Sequence, residues 1–388
     1  MTNKKPVTKK HVVSEADDAD DQADDAVIGT AVFWSLVVIV PVLLVGSAIA
    51  FWLTRKTDGV VENRSKESAL SKLRDTKSID IPQFAWADIT QAAGLDFVHC
   101  NGHSDEKLLP ETMGGGVACF DYDQDGYTDI LFTNSCHWEE AKNQAERPSA
   151  ALYRNRGDGM FDNVTKQVGL EVVGFGMGVA IGDYNGDGWP DVFLSNLGKN
   201  RLFRNEGGKS FVDVTDEAGV AGDPLHWSTS CGWFDANNDG HLDLVVCNYL
   251  EWSRERDVVL GSTLNGLVRA YSRPDSFGGR QPYLYINQGN GTFRETSAEA
   301  GLHITNPASK DEKPVAVPKS LGLAFCDIDD DGWMDIFIAN DTVQNLFFRN
   351  KGNGTFEEIG MKLGIAFGND GRPRGAMGID VRFIRPDS

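Results

Sequence analysis

No CxxC pair and no zinc-type cysteine or histidine spacing occurs in this 388-residue sequence, although it holds six cysteines: Cys100, Cys119, Cys136, Cys231, Cys247 and Cys326. Zinc modules and thiol redox centres of the CxxC kind are therefore set aside. The cysteines that fall in apolar runs (Cys119, Cys247, Cys326) read as small buried hydrophobes. A disulfide such as Cys136 with Cys247 stays open for a protein outside the cytoplasm. Basic charge is equally scarce, with 37 Lys and Arg against 57 Asp and Glu and a formal net charge of −20. Without a basic stripe to release counterions from phosphates, nucleic acid is excluded as a partner. The seven histidines are scattered and no nucleophile elbow appears, so a non-enzymatic reading is preferred. The alternative is an extracytoplasmic enzyme acting on polysaccharide or ester substrates, which would have to converge acid and base groups around His103 or His226. No stretch after residue 84 has the 10–15-residue helical periodicity that a βαβ unit requires.

Charge is missing altogether from one long segment. Ala26–Leu53 runs 28 positions without a charged residue, enough for a helix to cross a bilayer core of about 30 Å. Trp34 and Trp52 stand near its ends, where interfacial anchors often sit, and Pro41 lies in its middle. The sequence thus predicts a polar, disordered tail over 1–25, a transmembrane helix over 26–53 and a linker over 54–83. Ala48-Ile49-Ala50 resembles a signal cleavage site, but the long polar stretch ahead of it favours an uncleaved anchor. Six Lys and Arg between residues 55 and 74, against four before the span, would put the C-terminal side in the cytoplasm by charge count alone. The loops described next reverse that orientation, because weak calcium sites fill only where calcium is plentiful.

What the chain does have is repetition. One half-unit reads GGGVACFDYDQDGYTDILFTN at 114–134, GMGVAIGDYNGDGWPDVFLSN at 176–196, STSCGWFDANNDGHLDLVVCN at 228–248 and SLGLAFCDIDDDGWMDIFIAN at 320–340. A second alternates with it, as LYRNRGDGMFDNVTKQVGL, LFRNEGGKSFVDVTDEAGV, LYINQGNGTFRETSAEAGL and FFRNKGNGTFEEIGMKLGI. Each half-unit holds two short apolar runs about a Gly/Asp/Asn turn, so a full repeat gives about four strands, the content of a propeller blade. The fold class predicted is all-β: a β-propeller over 84–388, with an insertion ahead of the last loop.

The shared loop is D-x-[DN]-x-D-G-x-x-D. Its members are Asp121, Asp123, Asp125, Tyr127 and Asp129; Asp183, Asn185, Asp187, Trp189 and Asp191; Asp235, Asn237, Asp239, His241 and Asp243; and Asp327, Asp329, Asp331, Trp333 and Asp335. Positions 1, 3, 5 and 9 offer side-chain oxygens, position 7 offers its carbonyl, and glycine at position 6 permits the bend. An all-oxygen, flexible donor set favours calcium over zinc or copper, and about four Ca2+ sites are expected. The 14 loop aspartates and the seven acids of the tail account for the excess charge. Apolar strands flank the loops and no Glu stands at position 12, which excludes an EF-hand.

These loops resemble the FG-GAP and VCBS repeats of integrin-α-like propellers. LPETMGGGVACFDYDQDG, HWSTSCGWFDANNDGHLDL, the insert from NYLEWS to YSRPDSFGGRQPYLYIN, and LGLAFCDIDDDGWMDIFIANDTVQN resemble more closely the cartilage acidic protein (ASPIC/UnbV) family. The resemblance implies a secreted or surface-anchored calcium-binding propeller, often seven-bladed with a further C-terminal domain. It also implies adhesion or interaction with a protein or glycan partner. A fifth loop begins at Gly375–Asp380 but continues as Val381–Ser388 rather than D-x-[DN]-x-D-G, so four to five blades and an incomplete propeller are expected. Within the insert Leu250–Pro282, Trp252, Arg254, Tyr271, Arg273 and Arg280 are the candidate contact residues, with packing beneath a long loop as the alternative.

Overall fold

A computed structural model describes Phe33, Val37 and residues 85–138, 147–306 and 315–382. The chain divides into two compact units, Met1–Trp86 and Ala87–Ser388. Apart from Phe33 and Val37, both helical, the expected tail, membrane span and linker lie outside the described residues. No helix among the described residues is long and apolar enough to cross a membrane.

The second unit is all-β, with four antiparallel sheets of four strands each. β1 (Val117–Phe120), β2 (Asp129–Phe132), β3 (Ala151–Asn155) and β4 (Phe161–Asn163) form the first. β5 (Phe175–Gly182), β6 (Asp191–Leu197), β7 (Arg201–Asn205) and β8 (Phe211–Asp213) form the second. The third begins with β9 (Ser228–Phe234) and β10 (Asp243–Asn248). After an insertion carrying the hairpin β11 (Thr263–Leu264) and β12 (Val268–Arg269), it resumes with β13 (Tyr283–Asn287) and β14 (Phe293–Glu295). A small pair, β15 (Thr305–Asn306) and β16 (Val315–Ala316), precedes the fourth sheet. That sheet is β17 (Ser320–Cys326), β18 (Asp335–Asn340), β19 (Leu346–Asn350) and β20 (Phe356–Glu358). Every four-stranded sheet is an up-and-down meander, interrupted in the third sheet alone by the insertion between β10 and β13.

The second strands of the two middle sheets are apolar on both faces because each of those sheets packs between two others. Val192 and Leu194 of β6 share a core with Leu131 and Leu152 of the first sheet, while Phe193 between them packs with Leu244 and Val246 of the third. Val245 and Cys247 then meet Ile336 and Ile338 of the fourth. Each such fully buried side chain contributes roughly 1.5–3 kcal/mol, so the cores between blades hold the array in order. Consecutive first strands approach closely. A Cβ on Gly116 would stand 3.0 Å from the Met177 carbonyl. Hydroxyls tie successive sheets as well: Thr229 Oγ1 donates to the Ser320 carbonyl at 2.7 Å, and Ser230 Oγ to that of Leu321 at 2.5 Å. Residues 375–379 lie against β17 as β5 lies against β1. Ala376 N donates to Asn340 O as Gly176 N donates to Asn134 O, and Ile379 borders Gly322.

Two expectations are corrected. All six cysteines are free thiols, with Cys136 and Cys247 in separate core clusters. Of the three expected to be buried, only Cys247 is; Cys119 is exposed and Cys326 half-buried, because they lie on first strands near the loop ends. The insertion also contains a helix, Arg254–Leu260, that the strand reading passed over. Ser253 caps it by accepting from Arg256 N, and Gly261 closes it in the left-handed region at φ 57°, a Ser-start and Gly-stop pattern legible in hindsight.

Candidate metal centres

The four acidic loops connect the first and second strands of the four sheets and share one hydrogen-bond scheme. The position-1 carboxylate accepts from the N–H groups of positions 5 and 6. For Asp121 the distances are 3.1 and 2.8 Å; for Asp327 they are 3.0 and 2.8 Å. Asp183 and Asp235 do the same. The position-7 N–H donates to the position-5 carboxylate in all four. Position 6 is glycine at φ 86–91°, the conformation that needs the absence of Cβ. Position 4 is left-handed too: Gln124, Gly186, Asn238 and Asp330 lie at φ 55–72°. Side chains of position 7 lie over the glycine turn of the hairpin formed by the third and fourth strands. A Cβ on Gly352 would stand 2.9 Å from the Trp333 ring, and one on Gly289 would stand 3.1 Å from His241.

The position-9 aspartates, Asp129, Asp191, Asp243 and Asp335, are fully buried. Each accepts one N–H from position 2 and another from an asparagine at the end of the third strand. For Asp191 these are Tyr184 N at 3.2 Å and Asn205 N at 2.8 Å. Burial pushes the carboxyls of Asp129 and Asp243 up to about 6 and that of Asp191 up to about 7, and it raises Asp335. Backbone donors oppose the shift and neighbouring carboxylates add to it. Desolvated acids crowded by other acids are the condition that a bound dication relieves.

The loops fall into two kinds. In the first and fourth, ligand atoms of Asp121, Asp123 and Asp129, and of Asp327, Asp329 and Asp335, all lie within 4.8 Å of one another. Asp123 Oδ1 is buried there without a hydrogen-bond partner. This orphaned oxygen within a tight, all-oxygen donor set fits a hard cation. In the second and third loops position 3 is an amide. Asn185 and Asn237 each donate Nδ2 to the position-5 carboxylate at 2.9 Å, and among the described residues no equally tight carboxylate group forms. Of the four loops expected to bind, two thus form tight carboxylate groups and two place an amide at position 3.

Two sets of residues in the site were not picked out from the sequence. The asparagines Asn155, Asn205, Asn287 and Asn350 back the position-9 acids through their N–H groups. From the second sheet on, their Nδ2 atoms also reach the preceding sheet: Asn205 to Tyr122 O at 2.9 Å, Asn287 to Tyr184 O and Asn350 to Ala236 O at 2.8 Å. Their recurrence in LYRN, LFRN, LYIN and FFRN was the available signal. Arg154 and Arg349, one residue earlier in that motif, reach the carboxylates of positions 3 and 5.

The insert is mostly packed. Trp252 Nε1 donates to buried Asp257 at 2.8 Å, Arg254 pairs with Glu106, Tyr271 bonds Glu111 and Arg280 pairs with Glu251. Only Arg273 of the five candidates is largely exposed, at 81% of its side chain. His103 lies 3.4 Å from Tyr271 OH, whereas His226 bonds Tyr283; no contact joins the two histidines among the described residues.

Four meander sheets strung along one chain, each with an acidic loop between its first and second strands, define a repeat-built β-blade protein with candidate cation sites. The family model of the FG-GAP-like repeat matches residues 121–194, 183–246 and 327–382. Cartilage acidic protein 1 of Xenopus tropicalis is 26% identical over 255 residues, and that of Mus musculus 25% over 252 residues. Each match covers 58% of this chain and 38% of the relative. The chain carries FG-GAP-like repeats and is similar to the cartilage acidic proteins of the ASPIC/UnbV family. It spans 38% of the length of these relatives. Among solved structures, a lectin of Agrocybe aegerita described as recognising non-reducing terminal N-acetylglucosamine matches at 19% identity and a TM-score of 0.32. That match covers 62% of this chain and 49% of the lectin, a likeness too slight to bear on fold or ligand.

Proposed function

We propose that the chain is a calcium-binding, propeller-like interaction module, anchored to a membrane by residues 26–53 and displayed on the extracytoplasmic side, with adhesion to a protein or glycan as its role. The observation that carries this reading is the recurrence of one loop four times, with a buried position-9 aspartate each time and two tight carboxylate clusters. Positions 1, 3, 5 and 9 would hold the ion, with the position-7 carbonyl as a further donor. The ion would supply charge neutralisation and would stiffen the blade edge on which the loops lie, leaving neighbouring loops as the recognition surface. Successive sheets sharing cores through their faces support the propeller arrangement. A non-catalytic role follows from the commitment of the carboxylates to the loops.

The test is a thermal melt of the full chain in detergent, in chelator and in millimolar calcium. Mass action requires that binding raise the melting temperature, by about 2.7 kcal/mol of added stability per site at a hundredfold excess over Kd. Equal melting in chelator and calcium would sink the reading.

A further inference from the structure

The residue at the fourth position of the third strand of each sheet tracks the residue at loop position 3. Where position 3 is Asp123, Arg154 Nε donates to its Oδ2 at 2.5 Å and Arg154 NH2 donates to Asp125 Oδ2 at 2.7 Å. Where it is Asp329, Arg349 Nε lies 2.6 Å from its Oδ2, and Arg349 NH2 lies 3.6 Å from Asp331 Oδ2. Where it is Asn185, the equivalent Arg204 points elsewhere and donates to Glu206 at 2.8 Å. Where it is Asn237, the equivalent residue is Ile286 and carries no charge at all. Over positions 1, 3, 5 and 9, loops one and four hold four carboxylates and one guanidinium, and loops two and three hold three carboxylates and none. The net formal charge facing each centre is the same.

We propose that Arg154 and Arg349 are built-in counter-charges that set the cation affinity of the first and fourth loops. This rests on the reading of the loops as calcium sites. Each guanidinium contacts the position-3 and position-5 carboxylates that would hold a dication, so its positive charge opposes loading. The second and third loops face no such competitor; their amide donates to the position-5 carboxylate without adding charge. Four loops of equal facing charge thereby differ in whether a guanidinium stands beside the cation.

The experiment is a calorimetric titration of the full chain in detergent with calcium chloride after chelator removal, beside melting in chelator. Arg154→Met and Arg349→Met, which keep the aliphatic stem, should each tighten one site about tenfold, equivalent to about 1.4 kcal/mol, by removing a like charge beside the cation. Both should lower the melting temperature in chelator, where crowded carboxylates lose their counter-charge. A purely structural ion pair would lower melting without tightening binding. Arg204→Met, outside both clusters, should leave the isotherm unchanged. Asp123→Asn should weaken its site, and adding Arg154→Ile should recover most of the loss. That double variant copies the Asn237 and Ile286 pairing of the third loop and so keeps the test alive should Arg154→Met fail to fold. Wild-type chain that takes up no calcium would overturn both the loop assignment and the inference. Wild-type uptake with unchanged or weaker binding in the arginine variants, or no recovery in the double variant, would overturn the inference alone.

Discussion

Buried acids concentrate in two regions of this molecule, and there they are satisfied in opposite ways. In the face built from residues 103–113 and the insert, Asp257 is fully buried and accepts from Leu109 N, Trp252 Nε1, Arg269 NH2 and Ser272 Oγ. Glu111, also buried, accepts from Ser104, Trp138 and Tyr271. Every donor there comes from the protein, two of them, Leu109 N and Tyr271 OH, from more than a hundred residues away. In the loops, the position-9 acids receive two backbone N–H groups each and face other carboxylates. A buried charge is tolerated when paired and bonded. The insert supplies that pairing internally, while the loops leave part of it unmet, which is where the proposed cation would act.

The comparison breaks most sharply at Asp257. Asp257→Ala strands the Arg269 guanidinium and the donors of Leu109 and Trp252, and removing one partner of a buried pair costs about 3–5 kcal/mol. Chemical denaturation should show that loss undiminished in chelator and in saturating calcium. A loss that calcium largely restores would show that the insert and the loops are one system rather than two.

A smaller effect separates the blades from one another. Asn287→Ala deletes the donor to Tyr184 O at 2.8 Å and to Leu242 O at 3.1 Å, leaving two carbonyls unmet at the seam between the second and third sheets. The expected loss is about 1–3 kcal/mol. Asn155→Ala, whose Nδ2 contacts only Thr128 O at 3.0 Å within its own sheet, should lose less. Equal losses in the two variants would show that the bond between sheets contributes nothing of its own.

How much of this was legible in the sequence follows from where the signals are local. The four meanders and their loops were readable because each loop and its two flanking strands are written in one contiguous segment, with the third and fourth strands following in a second recurring motif. Asn287 was not read as a clamp because its partner, Tyr184 O, lies 103 residues away and is a backbone group with no sequence signature. The split of the loops into two kinds was present in the Asp123 and Asn185 alternation, but its meaning depended on Arg154 folding back from another strand. Trp252, Arg254, Tyr271 and Arg280 look like an exposed recognition set in a long insert. They are packed because Asp257 and Glu251 answer Trp252 and Arg280 from nearby in the chain, while Glu106 and Glu111 answer Arg254 and Tyr271 from elements distant in sequence.

The smallest effect concerns a titratable group that belongs to neither region. His226, half-buried ahead of the third sheet, stacks on Tyr283 with 5.6 Å between ring centroids, and Nδ1 bonds the Tyr283 hydroxyl. Burial lowers its pKa from the ordinary value and Arg280 adds to the effect, while Asp223 and Glu251 oppose it. The unfolded chain therefore takes up a proton at higher pH than the folded one, and stability falls as the pH drops through about 6.5 and below. Above that value the ring is neutral in both states and contributes no pH dependence. With calcium saturating, melting between pH 7.5 and 5.5 should fall more steeply for the wild type than for His226→Gln, which removes the titration while keeping a polar side chain against Tyr283. Parallel curves for the two would mean that the acid sensitivity of the blades comes from the carboxylates alone.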